Sequence, residues 1–464
     1  MNVSPTVAPA PPAVTAISDR TKRLLQDPIL PLLLRMAWPN VLIMLAQASA
    51  QLIETWWISH LGTAALAGMA LVFPPIMLTQ MISAGAMGGG ISSAIARALG
   101  SGRRDEADAL VLHAVVINIV LGVAVTAVFL LWGREIFAAL GGEGAALDAA
   151  VTYANVVFAG NALLWLLNGL ASVIRGTGNM LVPALVICAG VALLVPLSPL
   201  LIFGIGPIPA LGIAGGGVAL VLFYATGTAV LAWYILSGRN LVRFRWTPPR
   251  WPLFRAILRV GAVGAVTSLQ TNITIALVTA LAASAAGTAA VAGFGTAVRL
   301  EYLLVPLVFG LGAPVVALVG TNVGAGLHER ALRIALTAGG IAFAMTESIG
   351  LAAAIWPEAW LGLFSTEPAM LAAGSAYLRI VGPAYGFFGL GLVLYFASQG
   401  AGQLLWPLCV GFLRLAIAGV GGWLALHLTG ELRWLFAAVA LALVVYGVSL
   451  GLAVRSGVWF RGSR

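Results

Sequence analysis

The chain has 464 residues, 61% of them hydrophobic and 8% charged, with 24 Lys and Arg against 15 Asp and Glu. A soluble domain carries roughly 25% charged residues, so a water-facing surface over this length is excluded. Nucleic acid is not the partner that the excess positive charge calls for, because the arginines lie scattered between apolar stretches instead of on one compact domain.

Residues 1–27 are expected to be a disordered tail, since the first 18 are rich in Ala, Pro, Val and Thr and lack the apolar core of a signal peptide. From there to about residue 455 apolar runs recur, most of them long enough to cross a hydrocarbon core of ~30 Å as a helix. Twelve spans are predicted, at about 34–58, 64–88, 109–132, 149–173, 179–203, 212–236, 254–283, 288–318, 331–356, 371–398, 404–427 and 433–455. The runs do not alternate in the way barrel strands do. The fold class is an all-α integral membrane protein.

An internal match at one constant offset divides the chain. Gly100-Ser-Gly102 with Ala107 recurs as Gly324-Ala-Gly326 with Ala331, Gly176-Thr-Gly178 with Pro183 recurs as Gly400-Ala-Gly402 with Pro407, and Arg35 recurs as Arg259. Such a repeat implies two parallel six-helix halves: an amino-terminal lobe over 28–236, a linker over 237–253, a carboxyl-terminal lobe over 254–456 and a short tail over 457–464. Glycine pairs of this kind read as tight loop geometry. No lysine-serine pair or strand accompanies them, so phosphate-loop and dinucleotide readings fail.

Most of the 24 basic residues, including Arg97, Arg103, Arg104, Arg175, Arg330 and the run from Arg239 to Arg259, fall on the side that carries both termini. Arginine-rich loops stay in the cytoplasm. Both termini and the linker are therefore expected inside, in a bacterial inner membrane.

Three acids fall within spans: Glu54, Glu301 and Glu347. A carboxylate at bilayer depth costs at least ~2.5–3.5 kcal/mol on insertion scales and usually faces a cavity or partner. Asn40, Gln47, Gln51 and Glu54 are spaced so as to share one face of the first span, and that face cannot meet lipid cheaply. A carboxyl there that alternates between neutral and ionised forms is what an ion exchanger needs, and Glu54 has no acidic repeat counterpart, because Val278 stands there. Arg299 and Glu301 are two residues apart and so on different helix faces; each is expected to seek a partner from Glu347 and Arg414 in a buried ionic network. Thr271, Thr274 and Asn272 in the seventh span are candidates to line a substrate path, with Thr hydroxyls bonded to their own helix as the alternative.

Cys188 and Cys409 lie in apolar segments without metal-ligand spacing, and no histidine-cysteine or serine-histidine-acid group occurs. No metal, no cofactor and no enzymatic chemistry are expected.

The segments Trp38-Pro39, Ile53-Glu54-Thr55, His60-Leu61-Gly62 and Val319-Gly320-Thr321-Asn322-Val323-Gly324-Ala325-Gly326 resemble the multidrug and toxic compound extrusion (MATE) family, over about residues 28–455. The likeness is nearest to the branch named after the DNA-damage-inducible protein F, where an Asp usually stands at the position of Glu54. It implies two lobes in a V, alternating access, and export of small organic, often cationic, compounds in exchange for protons or sodium ions, by a monomer in the lipid bilayer. Departures are visible too. Leu194 and Ser198-Pro199 replace an Asn and an Asp-Pro of many relatives, Asn272 stands where the sodium-coupled branch has a Glu, and Gly386 to Val393 lack that branch's Asp. Proton exchange through Glu54 is the expectation, with sodium coupling, or a lipid-linked precursor flippase of the wider superfamily, as alternatives.

Overall fold

A chain segment in lipid must satisfy its backbone hydrogen bonds within itself, and the apolar runs do so as helices. The computed structural model describes residues 18–460 apart from 205, 207, 208, 286 and 287. Among them, eleven helices are long and apolar enough to cross a membrane: Ile29–Ser59, Thr63–Gly100, Arg104–Ala139, Leu181–Phe203, Ile213–Leu236, Trp251–Ala285, Val291–Gly324, His328–Ile355, Pro368–Ala401, Leu405–Thr429 and Leu432–Arg455. The pair Gly144–Ala159 and Asn161–Gly176, bent by 47°, supplies a twelfth crossing. Each falls on one of the expected spans, and they are numbered here in that order.

The repeat is legible in three dimensions. A Cβ on Gly176 in span 4 would lie 2.9 Å from the carbonyl oxygen of Ser92, and one on Gly400 in span 10 would lie 2.7 Å from that of Val316. Both members of the second pair are the repeat counterparts of the first. The loop glycines Gly102 and Gly326 share the same left-handed φ of 75°, which an L side chain adopts only at a cost. Both fourth helices also break: span 4 at Gly160, span 10 through a tight turn at Gly382–Ala384.

The lobes exchange helix ends. Leu33, at the start of span 1, is fully buried with Val308, Leu311 and Val315 of span 8. Its repeat counterpart Ile257, at the start of span 7, is buried in the first lobe's core with Ile91, Leu110 and Ile174.

The tail expected to be disordered over 1–27 needs correction at its far end. Residues 1–17 lie outside the described residues, but Asp19–Gln26 form a helix capped by Ser18. The Ser18 hydroxyl accepts from Thr21 N at 3.2 Å. Leu24 packs among Met180 and Ala331. A single buried leucine in a polar turn is a weak pattern in sequence. At the other end Trp459 is buried and Phe460 stacks on His328 at 3.9 Å, while 461–464 lie outside the described residues.

Candidate functional site

Span 1 runs unbroken through Pro39 and carries the expected polar stripe, but the stripe does not act as one network. Asn40 is buried and donates to its own helix at Met36 O, 3.1 Å away. Gln47 is half-buried, and Gln51 reaches Met77 of span 2. Glu54 is buried. Its Oε1 accepts the phenolic O–H of Tyr153 in span 4 at 3.2 Å, and Gly216 of span 6 closes the same pocket, a Cβ there lying 3.2 Å from that oxygen. Among the described residues no Lys, Arg or His comes within ion-pair distance of Glu54.

Deeper in the lobe, span 2 widens into a π turn over Met81–Met87. Asn168 of span 4 bridges it, donating to Ser83 Oγ at 2.8 Å and to Gln80 Oε1 at 3.3 Å. A π turn leaves backbone groups without their regular partners and recurs at functional sites. Leu194 and Ser198 of span 5 are buried.

In the second lobe the expected ionic network of Arg299, Glu301, Glu347 and Arg414 does not assemble. Arg299 is exposed, its guanidinium over the ring of Phe364 at 5.9 Å. Glu347 is half-buried and accepts from Gly386 N at 2.7 Å, one of the N–H groups left free where span 10 restarts after its break. The acid therefore serves the kink, which no spacing rule reveals. Glu301 accepts from Tyr377 O–H at 3.1 Å. Arg414 is buried over the rings of Phe388 and Tyr446, at 5.6 and 5.3 Å. Only Glu301 and Arg414 come together, on the wall of one small cavity that Thr274 also lines.

The seventh-span hydroxyls bond their own helix, Thr271 to Thr267 O at 3.1 Å and Thr274 to Gln270 O at 2.8 Å. Asn272 is exposed and donates to Ser268 O. Three residues that spacing did not single out reach other helices. Tyr153 and Tyr377 each bind a carboxyl, and Arg97 of span 2 donates across the lobes to Gly400 O at 3.0 Å. The two tyrosines stand at the same offset as the glycine pairs, though the offset alone does not say what their hydroxyls reach.

Comparison with known proteins agrees with this architecture. A family model described as MatE matches residues 39–200 and 265–424, one segment in each lobe. A protein of Shewanella oneidensis named FAD transporter is 29% identical over 377 residues, covering 81% of this chain and 82% of its own length. A probable multidrug resistance protein NorM of Thermotoga maritima is 25% identical, covering 82% of each chain. Solved structures share the fold: a MATE crystal structure in complex with MaD3S superposes with a TM-score of 0.86 at 24% identity, over 95% of this chain and 98% of that one. A MOP superfamily transporter from Pyrococcus furiosus matches with the same TM-score, identity and coverage. With a family match over both lobes and the twelve-span repeat in place, the chain belongs to the multidrug and toxic compound extrusion (MATE) family of transporters.

Proposed function

We propose that the chain is a secondary active antiporter that exports small organic molecules, cationic or amphiphilic, in exchange for protons, from a bacterial inner membrane in which both termini face the cytoplasm. The observation that carries this reading is Glu54: a buried carboxyl held by one phenol, with no basic partner among the described residues. A carboxylate without a counter-charge at bilayer depth is costly, and an exchanged ion supplies the missing charge. A proton suits the pocket better than sodium does. A hard metal cation asks for several oxygen ligands, whereas Tyr153 is the hydroxyl that reaches Glu54 and Leu194 is apolar.

The close interlobe approaches lie in the half of the membrane near the termini, from Gly310 on Val41 to Gly100 on Thr321. With the termini inside, this is an inward-closed state, ready to release substrate and take up a proton outside.

The test is flux of tetraphenylphosphonium from proteoliposomes under separately imposed proton and sodium gradients. Export driven by the proton gradient in sodium-free buffer is expected; export that requires sodium at a fixed proton gradient would overturn the coupling. One observation favours a second substrate class, the flavin dinucleotide of the Shewanella relative's name. The same vesicles loaded with FAD decide it.

A further inference from the structure

The two lobes keep the same tyrosine and take their carboxyl from different helices. Tyr153 and Tyr377 are repeat counterparts, both fully buried. Each donates to a glutamate, Tyr153 to Glu54 Oε1 at 3.2 Å and Tyr377 to Glu301 Oε2 at 3.1 Å. By the repeat, the counterpart of Glu54 is Val278 on span 7, and Val278 lines the cavity beside Glu301. Glu301 comes from span 8, whose counterpart position in the first lobe is Met77. The carboxyl has moved one helix over while reaching the same phenol.

The surroundings of Glu301 suit an exchangeable group. The cavity offers about 30 Å³ and is lined by Thr274, Tyr377 and Arg414 besides the acid, which is room for one water with polar partners. Arg414 lies on the cavity wall yet within 4.0 Å of no carboxylate among the described residues, its cation resting on two aromatic rings. Among the described residues, the titratable and charged groups facing Glu301 are thus Tyr377 and the nearby Tyr385 from span 10 and Arg414 from span 11, with no second acid. One turn from Thr274, and on the same face of span 7, Gln270 is buried with both amide atoms unpartnered. That amide is the nearest unpartnered polar group on span 7 to the cavity-lining Thr274.

We propose that Glu301, Tyr377 and Arg414 form a second proton-exchange site, within the carboxyl-terminal lobe. Glu301 releases its proton to a water in the cavity and recovers it by the same route, Tyr377 orients the carboxyl, and Arg414 supplies the counter-charge once the proton has left. A fixed guanidinium on the same wall disfavours sodium there, because it repels any metal ion that the carboxylate attracts. The proposal shares the proton with the function assigned above but does not depend on Glu54.

Infrared difference spectroscopy of the full chain in nanodiscs, between acid and alkaline pH, tests it without transport. In Glu54→Gln, a buried protonated-carboxyl band should remain at acid pH. It should vanish in Glu54→Gln/Glu301→Gln, persist in Glu54→Gln/Glu347→Gln, and move to higher frequency in Glu54→Gln/Tyr377→Phe as the phenol hydrogen bond is lost. A tyrosine that does not bond the protonated carboxyl would leave the band in place. If Glu54→Gln does not fold, Glu301→Gln alone should remove one of the two bands of the unaltered chain. Absence of any band from Glu301 across the pH range would mean a carboxyl that does not change its protonation and would sink the proposal. Failure of the Glu54 reading would show separately, as unimpaired proton-driven flux in Glu54→Gln.

Discussion

Gly100 and Gly324 are repeat counterparts that press against each other's helices at the interlobe seam. A Cβ on Gly100 would lie 2.0 Å from the carbonyl oxygen of Thr321, and one on Gly324 would lie 2.1 Å from that of Arg97. Thr321 is itself the counterpart of Arg97, so one contact is made twice about the pseudo-symmetry axis. Small residues allow such backbone approach between membrane helices. Arg97 adds a charged hydrogen bond to Gly400 O across the same seam.

The seam should open when either glycine gains a methyl group. The displaced atoms are backbone, which has no rotamer to yield, and overpacking costs roughly 1–3 kcal/mol. Gly100→Ala or Gly324→Ala should shift the equilibrium toward the state open at the terminus-bearing end by about tenfold, since each ~1.4 kcal/mol is a factor of ten. Double electron–electron resonance between spin labels at Ser101 and Ala325 reads this as a growing long-distance population. An unchanged distance distribution would show that the seam is not what holds the lobes together.

Glu54→Gln should abolish proton-driven flux while membrane yield and melting temperature hold or rise slightly. The amide keeps the volume and can still accept from Tyr153, and it removes a potential unpaired buried charge. Glu54→Asp should retain part of the activity, because it stays titratable but withdraws from the phenol by one methylene. Tyr153→Phe should slow flux by roughly tenfold without stopping it, the cost of one hydrogen bond to an ionisable group. Normal flux in Glu54→Gln would reduce that acid to a packing role.

The sequence displayed the spans and the repeat because both are carried by bulk hydropathy and by glycines at a fixed offset, signals that a local error does not erase. Glu54 was legible for a related reason: an acid in an apolar helix is rare. What stayed hidden depended on tertiary contact. Tyr153 and Tyr377 look like ordinary aromatic core until the helix opposite each is known. Arg299 and Glu347 looked like network partners by depth alone, yet one faces outward and the other satisfies the backbone at a helix break. The short helix at Asp19–Gln26 escaped because its hold on the protein is a few contacts, among them Asn322 donating to Leu24 O at 3.2 Å and Leu24 lying on Gly178.

That helix touches both lobes, since Gly178 follows span 4 and Asn322 belongs to span 8. Leu24→Ala should therefore destabilise the closed seam by about 2 kcal/mol, the lower range for a buried leucine, and do so more than it destabilises either lobe. Limited trypsin digestion at Arg20 and Arg23 should become faster, with the melting transition of the remaining helices changed little. Protection equal to that of the unaltered chain would show that Leu24 contributes nothing to docking.

The linker provides the test of orientation. It is fastened along the start of span 3: Arg245 pairs with Asp105 at 3.0 Å, Asp108 accepts from Arg243 N at 2.8 Å, and His113 Nε2 accepts from Arg250 N at 2.9 Å. A backbone N–H can only donate, so His113 carries its proton on Nδ1, where it donates to Ala109 O. Asn240 is buried in this arrangement, whereas Trp246 is 82% exposed, which makes Trp246 the position to label. With Cys188 and Cys409 replaced by Ala, Trp246→Cys in intact cells should react with a membrane-permeant maleimide and not with an impermeant one. Leu363→Cys, 74% exposed between spans 9 and 10 at the opposite end, should react with both. In the proposed orientation the arginines of the linker hold it inside, so the pattern should survive His113→Ala, which loosens the fastening by roughly 1–3 kcal/mol by leaving the Arg250 N–H unpaired but moves no charge. Labelling of Trp246→Cys by the impermeant reagent would invert the topology, place the closed seam on the outer face and reverse the direction in which Glu54 meets the proton gradient.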